Sequence, residues 1–163
     1  MALREIRVEG DPILNKISKP VKEMTPRTAE LIEDMWETMD EAEGVGLAAV
    51  QVGILKRIFI VKTDDEHAYT FINPEIIESE GEQTGSEGCL SVPGKAGNVT
   101  RAMKVKVKAL DRDMQEFELE GEELLARAIQ HEYDHLEGKL YVDLVEGELY
   151  DVNDSEEEEE EEA

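Results

Sequence analysis

The 163-residue chain contains one cysteine, three histidines and no long apolar run. A single cysteine cannot form a disulfide within the chain, so Cys89 is either a small core residue or a thiol with a chemical role. No stretch approaches the about 18 consecutive apolar residues that a membrane-spanning helix needs. The charged segment MALREIRVEGD also lacks the apolar stretch of a secretory signal. We therefore expect a cytoplasmic protein that makes no membrane contact.

Basic residues are also scarce, with 17 Lys and Arg against 41 Asp and Glu and a net charge of -24. Binding to nucleic acid requires clustered positive charge, so this balance argues against it. The segment DVNDSEEEEEEEA is rich in like charges that repel one another and has few apolar side chains that could be buried. We predict one globular domain over residues 1–150, and a disordered acidic tail over residues 151–163.

Helix and strand patterns follow one another in an irregular order. TPRTAELIEDMWETMDEAEG predicts a helix, because Thr25 can cap it, Pro26 fits its first turn, and apolar residues recur at helical spacing before Gly44. RIFIV (57–61) and YTFIN (69–73) predict strands, as does the alternation in MKVKVKAL, which a polar turn and a return strand follow. Since the order is not a strict βαβ repeat, the sequence predicts an α+β fold.

The segment AIQHEYDHLEG places two histidines four residues apart on a predicted helix. Leu124, Ala128, His131 and His135 follow at spacings of four, three and four, so the histidines continue the apolar face into the protein. Two neutral imidazoles one turn apart can converge on a cation, and Glu132 can handle the proton of a bound water. Two inward histidines in a protein core would be the alternative interpretation.

A metal site here would need a third protein ligand. The extended zinc-protease pattern requires a third histidine where this chain has Tyr141. A second kind of zinc site takes a glutamate from a helix further along the chain, but the segment after Tyr141 offers only a short acidic stretch. In GSEGCLSVPG, Cys89 lies among glycines and turn-forming residues, which is unusual for a core cysteine. A thiolate ligand would explain that setting.

Three segments together, GVGLAAVQ (44–51), EGCLS (87–91) and QHEYDH (130–135), resemble the signature motifs of the peptide deformylases in order and spacing. The resemblance extends to about Val145 and includes VKALDRD. It implies mixed, mainly antiparallel sheets packed around a central C-terminal HExxH helix. It also implies that residues 1–150 form a catalytic domain that removes the N-formyl group from the initiator methionine of nascent polypeptides and releases formate.

The resemblance implies a role for each matching residue. Cys89, His131 and His135 correspond to the ligands of one divalent metal ion, usually Fe²⁺, which Ni²⁺, Co²⁺ or Zn²⁺ can replace. Glu132 corresponds to the general base and acid, and Gln51 corresponds to a side-chain donor that stabilises the oxyanion. The backbone N–H of Leu90 corresponds to the second oxyanion donor of the family. The residues expected to contact the substrate are Gly44, Val45, Gly46, Leu90 and Ile129, although core packing alone would also account for the apolar ones.

The chain departs from the family pattern in two places. After EGCLS, members often carry an arginine-containing stretch that helps to hold the peptide, whereas this chain has only Lys95 before Arg101. Some bacterial members carry a basic C-terminal helix that favours the ribosome, whereas residues 151–163 are acidic here. We therefore expect any transient ribosome association to use another surface. Asp134 is predicted either to brace Arg101 or a ligand, or to be an exposed helix charge.

Two other classes of protein compete with this interpretation. A metal-free binding module could have kept the fold, but Glu132 and Gln51, to which the resemblance assigns catalytic roles, are both present and argue against it. A zinc peptidase that cuts internal bonds would need a histidine at the position of Tyr141.

Overall fold

The structure, a computed structural model, describes residues 2–152. Within that range the helices are α1 (Pro26–Glu41) and α2 (Glu123–Leu136). The strands are β1 (Gly46–Ala48), β2 (Ile58–Asp64), β3 (His67–Glu80), β4 (Gln83–Cys89), β5 (Val92–Arg101), β6 (Lys104–Leu110), β7 (Glu116–Glu122) and β8 (Glu146–Asp151). Short 3-10 helices cover Pro12–Asn15, Ala49–Val52 and Tyr141–Asp143.

The strands form two sheets. One has five strands in the order β1-β2-β3-β6-β7, and the other has three in the order β4-β5-β8. Every pairing between these strands is antiparallel, and a parallel bridge joins Lys19 to Lys56. The predicted α+β class and the mainly antiparallel sheets that the resemblance implied are therefore confirmed.

Helix α1 begins as its sequence predicts but ends earlier. The Thr25 hydroxyl accepts a hydrogen bond from the Thr28 N–H at 3.1 Å, and proline occupies the first turn. The helix stops at Glu41, not at Gly44, because Glu43 already adopts a left-handed conformation with φ of 56°.

Strand β2 is buried on both faces, which explains its unbroken apolar run. Ile58 and Ile60 pack with residues of α1, whereas Phe59 and Val61 pack with residues of α2. Successive side chains of a strand point to opposite faces, so the five-stranded sheet lies between the two helices. On its other side, α2 contacts the three-stranded sheet, because Arg127 hydrogen-bonds to Glu87 of β4 and to the Val99 carbonyl of β5. Helix α2 therefore lies between the two sheets, which confirms its predicted central position.

Strand β8 is the last described element of the chain. It pairs with β5, where Tyr150 lies opposite Ala96 and Asp151 lies opposite Lys95. The strand thus takes in the first residue of the predicted tail. Val152 is also described, and the rest of that prediction, residues 153–163, lies outside the described residues. No helix between residues 2 and 152 is long and apolar enough to cross a membrane.

Candidate active site

A cavity of about 520 Å³ opens between β1, the end of β4 and helix α2. Its volume lies within the range of small-molecule sites. Eight of the residues predicted from the sequence to form the site line it, namely Gly44, Val45, Gly46, Gln51, Cys89, Leu90, His131 and Glu132. Residues that are far apart in the sequence are therefore brought to one place.

Three side chains of types that can bind a metal ion meet beside this cavity, and Cys89 and His131 line it. His131 and His135 lie one turn apart on α2, and Cys89 is the last residue of β4. One ligand atom from each lies within 4.8 Å of the others, and Cys89 Sγ is 3.4 Å from His135 Nε2. Two imidazoles and a sulfur are a donor set that suits borderline divalent metals such as zinc, iron, cobalt or nickel.

A buried carboxylate orients His131. Glu87 is two residues before Cys89 on β4, so both side chains point to the same face of the strand. The Nδ1–H of His131 donates to Glu87 Oε1 at 2.5 Å, which holds the ring so that Nε2 is on the side of the cluster. Burial would raise the pKa of Glu87, but hydrogen bonds from His131 and Arg101 hold it at about 2. The carboxylate is therefore ionised at neutral pH.

The residues at the cluster fit a metal ion. Burial lowers the pKa of His135, which favours the neutral imidazole, the form that can bind a cation. Glu132 Oε1 is buried and has no hydrogen-bond partner among the described residues. A buried carboxylate oxygen in this position can accept a hydrogen bond from a water molecule at the cluster.

The Glu132 carboxylate lies beside both histidines. Its Oε1 is 3.9 Å from His135 Nε2 and its Oε2 is 4.0 Å from His131 Nε2. Burial raises the pKa of Glu132 to about 7, so that the group can take up and release a proton near neutral pH. Gly46 lies against this carboxylate, and an added Cβ there would be 2.5 Å from Oε2.

Gln51 is fixed in the 3-10 helix that follows β1. Its Oε1 accepts the Ala48 N–H at 2.9 Å, and its Nε2 donates to Ser91 Oγ at 3.0 Å. The same Nε2 is 3.5 Å from Cys89 Sγ. The amide nitrogen thus faces the cluster, while the amide oxygen is held by the backbone. Leu90, the next residue after the cysteine, lines the cavity beside them.

The structure corrects two sequence-based expectations for residues of α2. Ile129 is fully buried in the core formed with the five-stranded sheet and is not one of the cavity-lining residues. Leu124, predicted to point inward, is 50% exposed and lies at the mouth of the cavity. The helix turns about 100° per residue, so Ile129 faces the sheet while Ala128 faces the cavity.

Other residues of the site were not assigned from the sequence. Glu87 and Arg127 carry signals that could have identified them, since Glu87 shares the strand face of Cys89 and Arg127 precedes His131 by one helical turn. Tyr141 carries no local signal. Its ring stacks on that of His131 at a centroid distance of 5.8 Å, and burial raises its pKa to about 12.

Of the two alternatives for Asp134, the structure supports the brace. Arg101 Nη1 donates to Asp134 Oδ2 at 2.6 Å, while the rest of its guanidinium contacts Glu87. Arg101 thus connects helix α2 with strand β4 behind the ligand cluster.

These features together define the site of a metal-dependent hydrolase. They are the inward histidines of the HExxH segment, the cysteine sulfur beside them and the buried glutamate with its raised pKa. A family model described as polypeptide deformylase matches residues 3–149. A peptide deformylase of Agathobacter rectalis is 64% identical over 93% of this chain and 96% of its own length. The chain belongs to the polypeptide deformylase family, and its activity is hydrolysis of the N-formyl group of nascent polypeptides.

Solved structures of the family have the same fold. The crystal structure of a peptide deformylase from Legionella pneumophila matches with a TM-score of 0.85 and 47% identity, covering 88% of this chain and 86% of that one. The peptide deformylase from Ehrlichia chaffeensis in complex with actinonin matches with a TM-score of 0.87 and 34% identity, covering 90% of each chain. Family membership decides against both a metal-free binding module and a peptidase of internal bonds.

Proposed function

We propose that Cys89, His131 and His135 bind one divalent metal ion and that Glu132 transfers the protons of deformylation. The observation that carries this proposal is the set of three ligand atoms within 4.8 Å of one another, next to the buried Glu132 carboxylate. We propose Fe²⁺ as the metal in the cell, with Ni²⁺, Co²⁺ or Zn²⁺ able to replace it, because the nitrogen and sulfur donor set accepts all of them. When bound, the metal supplies Lewis acidity that acidifies water and polarises the formyl oxygen.

Strand β1 and the cavity rim place the substrate. β1 is the edge strand of its sheet and lines the cavity through Gly46, so an extended peptide can pair with its backbone. Glycine at this position lets the peptide backbone come close to Glu132. Val45 and Leu124 are exposed apolar residues at the same cavity and suit the methionine side chain.

The chemistry is the addition of water to the formyl carbon followed by loss of the amine. Glu132 accepts a proton from the attacking water as the new C–O bond forms. The C–N bond then breaks, and Glu132 passes that proton to the departing nitrogen. The products are formate and the free amino terminus of methionine, so one water is consumed and Glu132 returns to its starting state.

Gln51 and Leu90 stabilise the negative charge that develops on the formyl oxygen. The Gln51 amide nitrogen already faces Cys89, and the Ala48 N–H holds its other end, so the donor is oriented before the substrate arrives. The backbone N–H of Leu90 is the second proposed donor. Donors that are oriented in advance need little reorganisation in the transition state.

The proposed substrates are N-formylmethionyl nascent peptides, which places the reaction in the cytoplasm where translation takes place. Encounter with the ribosome is proposed to be transient. The last described element, strand β8 (Glu146–Asp151), is an acidic strand and not a basic helix, so docking is proposed to use another surface.

The direct test is to purify the protein under anaerobic conditions, measure its metal content and assay formate release from a formyl-Met peptide. We expect about one metal per chain and formate production that a chelator abolishes and added Fe²⁺, Ni²⁺ or Co²⁺ restores. Metal-loaded protein that releases no formate would overturn the proposed function.

A further inference from the structure

Arg127 is a buried arginine that the mechanism does not use. It lies on α2 one turn before His131, is 7% exposed, and lines the wall of the cavity. A buried guanidinium loses its hydration, so its hydrogen-bond partners determine what it contributes.

Its guanidinium joins helix α2 to strands β4 and β5. Nη1 donates to Glu87 Oε2 at 2.7 Å and to the Val99 carbonyl at 3.0 Å, and Nη2 donates to the Gln83 carbonyl at 3.4 Å. The group is therefore held at three points, and one of these is the carboxylate that orients His131.

The Glu87 carboxylate accepts four hydrogen bonds. Oε1 accepts from His131 Nδ1 at 2.5 Å and from Arg101 Nη2 at 2.6 Å, and Oε2 accepts from Arg127 Nη1 at 2.7 Å and from Arg101 Nε at 3.1 Å. A carboxylate has about four lone-pair positions, so all are in use. The shorter of the two bonds to Oε2 comes from Arg127.

We propose that Arg127 is a positioning residue for the metal ligand His131 and that it acts through Glu87. By holding Oε2, Arg127 fixes the rotation of the carboxylate and so the direction in which Oε1 meets the imidazole. The proposal rests on the ligand role of His131 given under the proposed function. Without Arg127, Oε2 keeps only the longer bond from Arg101, and a buried acceptor site is left unsatisfied.

The test measures the affinity of the apo-protein for Co²⁺ by competition with a chelator, together with the visible spectrum of the cobalt form. Arg127→Met keeps the length of the stem but removes the guanidinium, and we expect Co²⁺ affinity to fall about tenfold, as for the loss of an outer hydrogen-bond partner of a ligating histidine. We expect Arg127→Lys to lie between Arg127→Met and wild type, because an ammonium can replace one of the donors. Arg112→Met, at an exposed arginine paired with Glu33, is the matched control and should leave Co²⁺ binding unchanged.

A double-mutant cycle separates positioning from general stabilisation. Glu87→Gln is combined with Arg127→Met, and the two effects on Co²⁺ affinity should be strongly non-additive if Arg127 acts through Glu87. Equal effects of Arg127→Met in both backgrounds, or unchanged Co²⁺ affinity together with a lower Tm, would overturn the proposal. If Arg127→Met does not fold, Arg127→Lys takes its place in the cycle. Failure of the wild type to bind Co²⁺ would instead reject the ligand set itself.

Discussion

The carboxylate of Glu132 lies directly against Gly46, so that a methyl group on this glycine would be 2.5 Å from Glu132 Oε2 and 2.9 Å from Cδ. Real Cβ atoms do not approach other atoms so closely, and one of the two elements would have to move. The contact brings β1, the proposed substrate strand, against the HExxH helix α2.

Gly46→Ala is predicted to displace Glu132 and to lower kcat by about a hundredfold, because small misplacements of a catalytic group are costly. Metal content should be retained, since the three atoms nearest to the added methyl group all belong to Glu132 and none to a proposed metal ligand. Steady-state formate release and metal analysis measure the two effects. As a control, Gly10→Ala adds a methyl group with no atom within 4 Å. Gly10 has a positive φ, so this substitution should lower the stability of the protein somewhat but leave kcat unchanged. Full activity of Gly46→Ala would show that Glu132 can move without loss.

Glu132→Gln is predicted to separate metal binding from turnover. The amide keeps the shape of the side chain but cannot accept the proton of the attacking water, so kcat should fall by about 10²- to 10⁴-fold. Metal stoichiometry should remain that of the wild type, because Glu132 is not one of the three clustered ligand residues. Loss of the metal in this variant would mean that Glu132 is itself a ligand.

Cys89→Ser is predicted to weaken metal binding and activity together. A serine hydroxyl stays protonated near neutral pH and is a poor donor beside two imidazoles. The affinity should fall by more than the roughly tenfold to hundredfold typical of a lost outer-shell partner. Chelator competition measures this change. Wild-type occupancy and activity in Cys89→Ser would require a different third ligand.

Acetyl-Met peptides are predicted to be much poorer substrates than formyl-Met peptides. The additional methyl group must fit beside the proposed metal ligands, Gln51 and the backbone at Gly46, where Glu132 already leaves little room. We expect kcat/KM to fall by at least about tenfold, the lower end of discrimination by a single carbon. Equal kcat/KM values for the two peptides would contradict a site built for the formyl group.

Two truncations are predicted to behave differently at the C-terminal end. Removal of residues 153–163 should leave kcat/KM within about twofold, because all the residues that line the cavity lie before residue 133. Removal of residues 146–163 should lower Tm and raise KM, since β8 pairs with β5 and Tyr150 contacts the cavity residue Ser86.

Activity assays at moderate salt and thermal unfolding measure both truncations. Removal of the acidic segment alone would contradict the prediction if it lowered kcat/KM by more than about twofold, since surface charge effects are largely screened at that salt. The shorter deletion starts after Val152, because Asp151 belongs to strand β8.

Local patterns in the sequence predicted the elements that carry the site. The cap at Thr25, the apolar run of β2 and the four-residue spacing of His131 and His135 each depend on neighbours in the chain. The periods of helix and strand determine which side chains share a face, so these predictions needed no tertiary information. Three separate motifs then indicated the family, and the family comparison confirmed it.

Only the tertiary structure decided how the site is held together. Glu87 meets His131 from 44 residues away, Arg127 reaches strands β4 and β5, and Tyr141 stacks on a histidine ring. The helix period predicted that His131 points inward. It could not predict that Ile129 faces the sheet or that the exposed Leu124 lies at the cavity mouth. A sequence pattern gives the direction of a side chain around its own element, but what lies in that direction depends on how the elements pack.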